Sequence, residues 1–118
     1  MEITSTKPSD HITLLKVKGR VDTTTAPSLD SQVSAALDST HKACVLDLAG
    51  VDYISSAGLR VLVMGAKKAS LGHGVFSLCG VQESVHKILE MVGFTPLLDI
   101  YGDEKTALDA AGKKLGPR

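Results

Sequence analysis

The residues best placed to do chemistry in this chain are two adjacent hydroxyls, Ser55 and Ser56. They lie in the segment Val51-Asp52-Tyr53-Ile54-Ser55-Ser56-Ala57-Gly58-Leu59-Arg60-Val61-Leu62, between a strand-like run and a helix-like one. Ser55 suits the N-cap, where its oxygen accepts a bond from an amide one turn in, with Ser56 at the first helical position. Capping alone would account for both serines. A hydroxyl at a helix N-terminus is also exposed, where free N–H groups and the positive dipole end favour an anion. Phosphorylation there adds a charge of about −1.5 to −2 and three acceptor oxygens, which a helix tolerates and a packed partner does not.

Other chemistries lack their residues. No G-x-x-x-x-G-K-[ST] loop or G-x-G-x-x-G turn is present, and Gly65-Ala66-Lys67-Lys68 has the wrong spacing for a phosphate cradle. A G-x-S-x-G elbow is missing, so no catalytic residue is assigned and an enzyme is not expected. His11, His41, His73 and His86 match no metal spacing, so neither metal nor cofactor is expected. Cys44 and Cys79 each sit inside an apolar run and read as two buried thiols. Thirteen Lys and Arg balance thirteen Asp and Glu, which leaves no cationic surplus for nucleic acid. Aromatics at 3% offer no stacking platform for bases. The apolar runs are far below the ~20 residues of a membrane span. Met1 to Pro8 lacks the basic start and apolar core of a signal peptide, so the expected location is the cytoplasm, without direct membrane insertion.

A chain of 118 residues is one domain, taken here as 1–118. Its pattern predicts an initial hairpin, Glu2 to Thr6 against His11 to Lys18, turning at Pro8-Ser9-Asp10. Thr25-Ala26-Pro27 supplies a hydroxyl cap and an early proline for a first helix, with Leu29, Val33, Ala36 and Leu37 on one face. Ala43 to Leu48 reads as a buried central strand interrupted by Asp47, a residue expected to cap backbone at the strand's end. A second helix spans Ser56 to Leu71, with Leu59, Leu62, Val63 and Ala66 as its stripe and the glycines of Gly72-His73-Gly74 as its stop. Val75 to Cys79 is a strand, and Val85, Ile88, Leu89 and Val92 form a third helical stripe closed by Gly93. Leu97 to Tyr101 is a last strand, and Asp103 caps a final helix ending near Lys113-Lys114. The fold class is α/β: a mixed sheet, antiparallel at the start and parallel later, with about four helices.

In order and spacing these pieces resemble the STAS domains, and among them the bacterial anti-anti-sigma factors. The resemblance rests on Leu14 to Asp22, Thr25-Ala26-Pro27, Val45-Leu46-Asp47-Leu48, Tyr53 to Leu62, Met91-Val92-Gly93-Phe94 and Asp103 to Leu108. It implies a switch. The unphosphorylated protein binds an anti-sigma factor with serine kinase activity and frees the sigma factor. The kinase phosphorylates the serine two places before the motif glycine, and a PP2C-type phosphatase reverses this. That serine is Ser56. Ser55 stands where an acidic residue is common, which makes it the alternative acceptor, and Ala57 stands where a second hydroxyl is frequent. The resemblance places the docking face on Asp22, Thr23 and Thr24 together with Ser55, Ser56, Ala57, Gly58 and Arg60. The alternative is a constitutive STAS subunit or scaffold of a transport or signalling complex, with both serines only capping. A nucleotide- or lipid-binding pocket beside the second helix is a third possibility, without a motif to carry it.

Overall fold

The computed structural model describes residues 1–116. Strand β1 (Glu2–Ser9) pairs antiparallel with β2 (Ile12–Lys18), Glu2 opposite Lys18 and Thr6 opposite Leu14. The hairpin is longer than the sequence predicts. A register shift after Thr6 lets β1 run through Pro8, and the chain turns at Asp10 and His11. Helix α1 (Ala26–Ala36) then leads to β3 (Ala43–Gly50), which lies parallel to β2. Helix α2 (Ser56–Leu71), β4 (Val75–Cys79), α3 (Glu83–Met91), a single 3-10 turn at Thr95–Leu97, β5 (Asp99–Tyr101) and α4 (Glu104–Leu115) complete the order. The sheet order is β1-β2-β3-β4-β5, parallel from β2 onward.

The period-2 alternation of the strands divides the core into two. Cys44, Leu46, Leu48, Phe76 and Leu78 face α1, α2 and α3, where they meet Leu29, Val33, Leu62, Val85 and Leu89. Ala43, Val45, Val75 and Cys79 face the other way, onto Ala107 and Ala111 of α4. A sheet covered by helices on both faces is what a continuous apolar strand such as β3 requires.

The two cysteines therefore sit on opposite faces of neighbouring strands and cannot pair. Burial pushes both thiols up to about 12, helped at Cys79 by the nearby Asp47 carboxylate. Alkylation of native protein at pH 8 is expected to proceed no faster than unfolding, because a protonated thiol is a poor nucleophile. Mass labelling with iodoacetamide, with and without denaturant, checks this; a thiol that reacts within minutes in the native protein contradicts it.

Several local expectations need correction. The buried stripe of α2 is Leu59, Val61, Leu62, Gly65 and Ala69, whereas Val63 and Ala66 are only half-buried. The helix packs against α1 as well as the sheet, and this rotates its inner face. Gly65 makes that approach possible: a Cβ there would lie 3.1 Å from the Phe76 ring and from Val33 Cγ1. Val92 follows α3 as its C-cap residue and is exposed. After α2 the left-handed residue is His73, at φ 54°, and not a flanking glycine. Gly74 is needed for another reason, since a Cβ there would collide with the Lys42 carbonyl oxygen. The last strand is shorter than predicted because Thr95–Leu97 forms the 3-10 turn.

Candidate functional site

Two loops leave the carboxyl ends of neighbouring parallel strands, residues 19–25 after β2 and residues 51–55 after β3. In open α/β sheets this is where sites form. The loops are joined by backbone: Val21 N–H donates to Tyr53 O at 3.0 Å, and Ser55 N–H donates to Val21 O at 2.8 Å. Arg20 lies over the Tyr53 ring at 4.3 Å from its centroid, a further cross-loop contact.

Asp22 fixes the first loop from within. Its Oδ1 accepts from Thr24 N–H at 3.0 Å and from Thr25 N–H at 3.1 Å. Thr25 does not use its side chain to cap α1, contrary to expectation. Its hydroxyl accepts from Asp22 N–H at 2.9 Å and donates to Arg20 O at 2.9 Å, so it is spent on the turn. The Thr25 N–H bond holds the Asp22 carboxyl below its ordinary value of 3.8, against desolvation, which is the next largest influence, and with smaller help from the Thr25 hydroxyl, Thr24 N–H and Arg20. For a depressed carboxylate the stabilisation is present above the ordinary value and is lost as the pH falls through the lowered one. The Thr24 and Thr25 amide resonances are therefore expected to move together only in acid below pH 3.8, and not at all in Asp22→Asn. An NMR titration reads this directly.

The second loop separates the two serines by conformation. Ser55 is the N-cap of α2, with extended backbone at φ −89° and ψ 175°. Its Oγ accepts from Gly58 N–H at 3.5 Å, and its carbonyl accepts from Leu59 N–H at 2.9 Å. Ser55 is half-buried, whereas Ser56, the first helical residue, is exposed. Around it, Thr23, Thr24 and Arg60 are exposed, Asp22 and Ala57 are half-buried, and Gly58 is buried. Gly58 faces inward, where a Cβ would lie 2.6 Å from Ile54 Cγ1 and 2.7 Å from Val21 Cγ1.

This arrangement has relatives. The STAS domain profile matches residues 4–107, which takes in both loops, most of β1 and all of β2 to β5. The chain belongs to the STAS domain family. BtrV of Bordetella bronchiseptica, by its name a candidate anti-sigma factor antagonist, is 33% identical over 92% of this chain and 93% of its own. The anti-sigma F factor antagonist of Paenibacillus polymyxa is 27% identical over 82% of this chain and 84% of its own. The unphosphorylated anti-sigma factor antagonist SpoIIAA superposes with a TM-score of 0.77 at 14% identity, over 92% of this chain and 95% of that one. The STAS fold read from the sequence is thus the fold of the chain.

Asp47 plays the structural part the sequence assigned to it. Its Oδ1 accepts from Ala49 N–H at 2.9 Å at the end of β3. The same carboxylate raises the pKa of Glu104 through a shared hydrogen bond, reinforced by desolvation and opposed by Lys16 at 3.2 Å. Neither contact reaches Ser55.

Sequence reasoning allowed a pocket beside the second helix but did not locate the two depressions that lie next to the serines. One is a groove of about 490 Å³ between α1 and α2, into which Thr23, Ala57 and Arg60 project. The other is a smaller depression of about 370 Å³, lined by Ser56, Arg60, Met64, Val92 and Phe94. Met64, half-exposed on α2, was the available signal. Among the described residues no cluster of three or more metal-ligating side chains occurs, and no helix is long and apolar enough to cross a membrane.

Proposed function

We propose that this chain is an anti-sigma factor antagonist that works by partner switching in the cytoplasm. It acts by binding and is itself no enzyme. Its unphosphorylated form engages an anti-sigma factor that is also a serine kinase, through Asp22, Thr23 and Thr24 on one loop and Ser55, Ser56, Ala57, Gly58 and Arg60 at the start of α2. The kinase transfers the γ-phosphoryl group of ATP to Ser56 Oγ. The new O–P bond forms as the bond to ADP breaks, and the hydroxyl proton passes to a base on the kinase. A PP2C-type phosphatase returns the hydroxyl by hydrolysis, releasing inorganic phosphate.

The observation that carries this reading is the division of labour between the serines. Ser55 Oγ is engaged as a cap, while Ser56 presents a hydroxyl to solvent at the positive end of a sixteen-residue helix. The similarity to two proteins named as antagonists supports the partner class.

Peptide mass spectrometry on protein isolated from its native cells, beside a Ser56→Ala strain, tests the site. Phosphate on Ser56 that varies with growth condition is the expected result. Phosphate on Ser55 moves the site by one residue. A chain unmodified in every condition sinks the switch and favours a constitutive STAS subunit or scaffold.

A further inference from the structure

The groove between α1 and α2 remains unused by the phosphorylation chemistry. Its floor is built from Ala26, Val33, Ala57, Val61 and Gly65, and Met64 stands at its lip, 50% exposed. The polar side chains that line it include charges on both walls, Arg60 and Lys68 from α2 and Asp30 from α1, all of them exposed. Such a trough, apolar below and charged at its edges, fits an amphipathic helix better than an enclosed small molecule.

Charge selects the occupant. The sixteen residues of α2 include Arg60, Lys67 and Lys68 and no acid. Among the described residues Arg60 takes part in no ion pair, and Lys68 Nζ donates only to the Ser34 carbonyl, at 3.1 Å. Asp30 is the only charged residue of α1. From Arg60 to Lys68 is eight residues, about 12 Å along the helix, or roughly two turns of a helix laid beside it.

We propose that this groove docks an amphipathic helix of a protein partner. That helix sets apolar side chains on Ala57, Val61 and Met64, and carboxylates two turns apart against Arg60 and Lys68. A neutral or basic edge lies toward Asp30. The inference rests on the reading of the chain as a partner-binding protein and extends it, because the groove begins at Thr23 and Ala57, beside Ser56. Phosphate on Ser56 would set a negative charge one helical turn from Arg60 and oppose the same carboxylates.

The probe is a designed sixteen-residue helical peptide with leucines on one face and glutamates along one flank. Its control carries lysines in place of the glutamates. Titrated into ¹⁵N-labelled full-length protein, the acidic peptide is expected to shift amides in 26–34 and 57–68. Its binding should be at least tenfold tighter than the control's and should weaken with added salt. Arg60→Glu with Lys68→Glu should cost it tenfold or more, and Met64→Glu should abolish binding; all three positions are exposed, so circular dichroism should be unchanged. Equal binding of the two peptides, or shifts confined to another face, overturns the proposal. So does concentration-dependent self-association abolished by Met64→Glu, which makes the occupant a second copy, or groove shifts caused only by phosphatidylglycerol vesicles. The titration uses no kinase, so its failure leaves the Ser56 assignment to stand or fall on phosphopeptide mapping.

Discussion

Glutamate in place of Ser56 is expected to weaken binding to the partner kinase about a hundredfold and to leave the melting temperature unchanged or slightly raised. The two effects separate because the site is a helix start. A carboxylate at the first position of α2 meets unpaired N–H groups and the positive dipole end, worth roughly 0.3–1 kcal/mol at an exposed position. It also lies one turn before Arg60, at a spacing that favours an ion pair. Nothing in the fold opposes it, since Ser56 is exposed and Ser55 supplies the cap. The partner meets the same charge across a desolvated interface, where about 3 kcal/mol of repulsion and desolvation corresponds to a hundredfold in affinity. On the proposed switch, Ser56→Ala is expected to keep binding and to escape release. Calorimetric titration of the three proteins against the kinase, with melting curves alongside, reads both halves. An affinity for Ser56→Glu within threefold of wild type would remove Ser56 from the interface.

The fold was legible because its signals are local and redundant. The apolar run Ala43 to Leu48, interrupted only by Asp47, reads as a central strand, and its alternation puts 44, 46 and 48 on one face and 43 and 45 on the other. What escaped the sequence depends on neighbours distant in the chain. The inner face of α2 includes Val61 and Gly65 because α1 and Phe76 close on it, which a single helical stripe cannot reveal. At the site, the sequence already pointed to Ser55 as the cap and Ser56 as the first helical residue, and the backbone angles of Ser55 and the Gly58 amide bear this out. The lock on the first loop was half-visible. Asp22 entered only through the resemblance, as part of the docking face, and Thr25 spends its hydroxyl on the Asp22 turn, where the sequence suggested a cap for α1. The groove is a property of two helices together and has no motif.

Gly58 ties the stability of the fold to the geometry of the switch, and its replacement by alanine is expected to damage both. An alanine inside a helix ordinarily gains about 1 kcal/mol over glycine. Here the added methyl would sit 2.6 Å from Ile54 Cγ1 and 2.7 Å from Val21 Cγ1, distances that real side chains do not sustain. Both neighbours are β-branched and buried, and each lies in the parallel bridge that joins the two loops. Both are packed in the core, which leaves them little room to swing aside. Overpacking of this kind costs about 1–3 kcal/mol and outweighs the propensity gain. A net loss of up to about 2 kcal/mol, up to roughly 10 °C in melting temperature for a chain of this size, is expected. The less costly relaxation is for the first turn of α2 to lift away from Val21. That displaces Ser56 and weakens the Ser55 cap, so affinity for the partner should fall about tenfold in protein that is still folded at 25 °C. Measuring affinity well below the melting temperature separates this from unfolding. A Gly58→Ala protein with wild-type melting and wild-type affinity would show that the loops are looser than these contacts imply, and that α2 can shift without moving its serine.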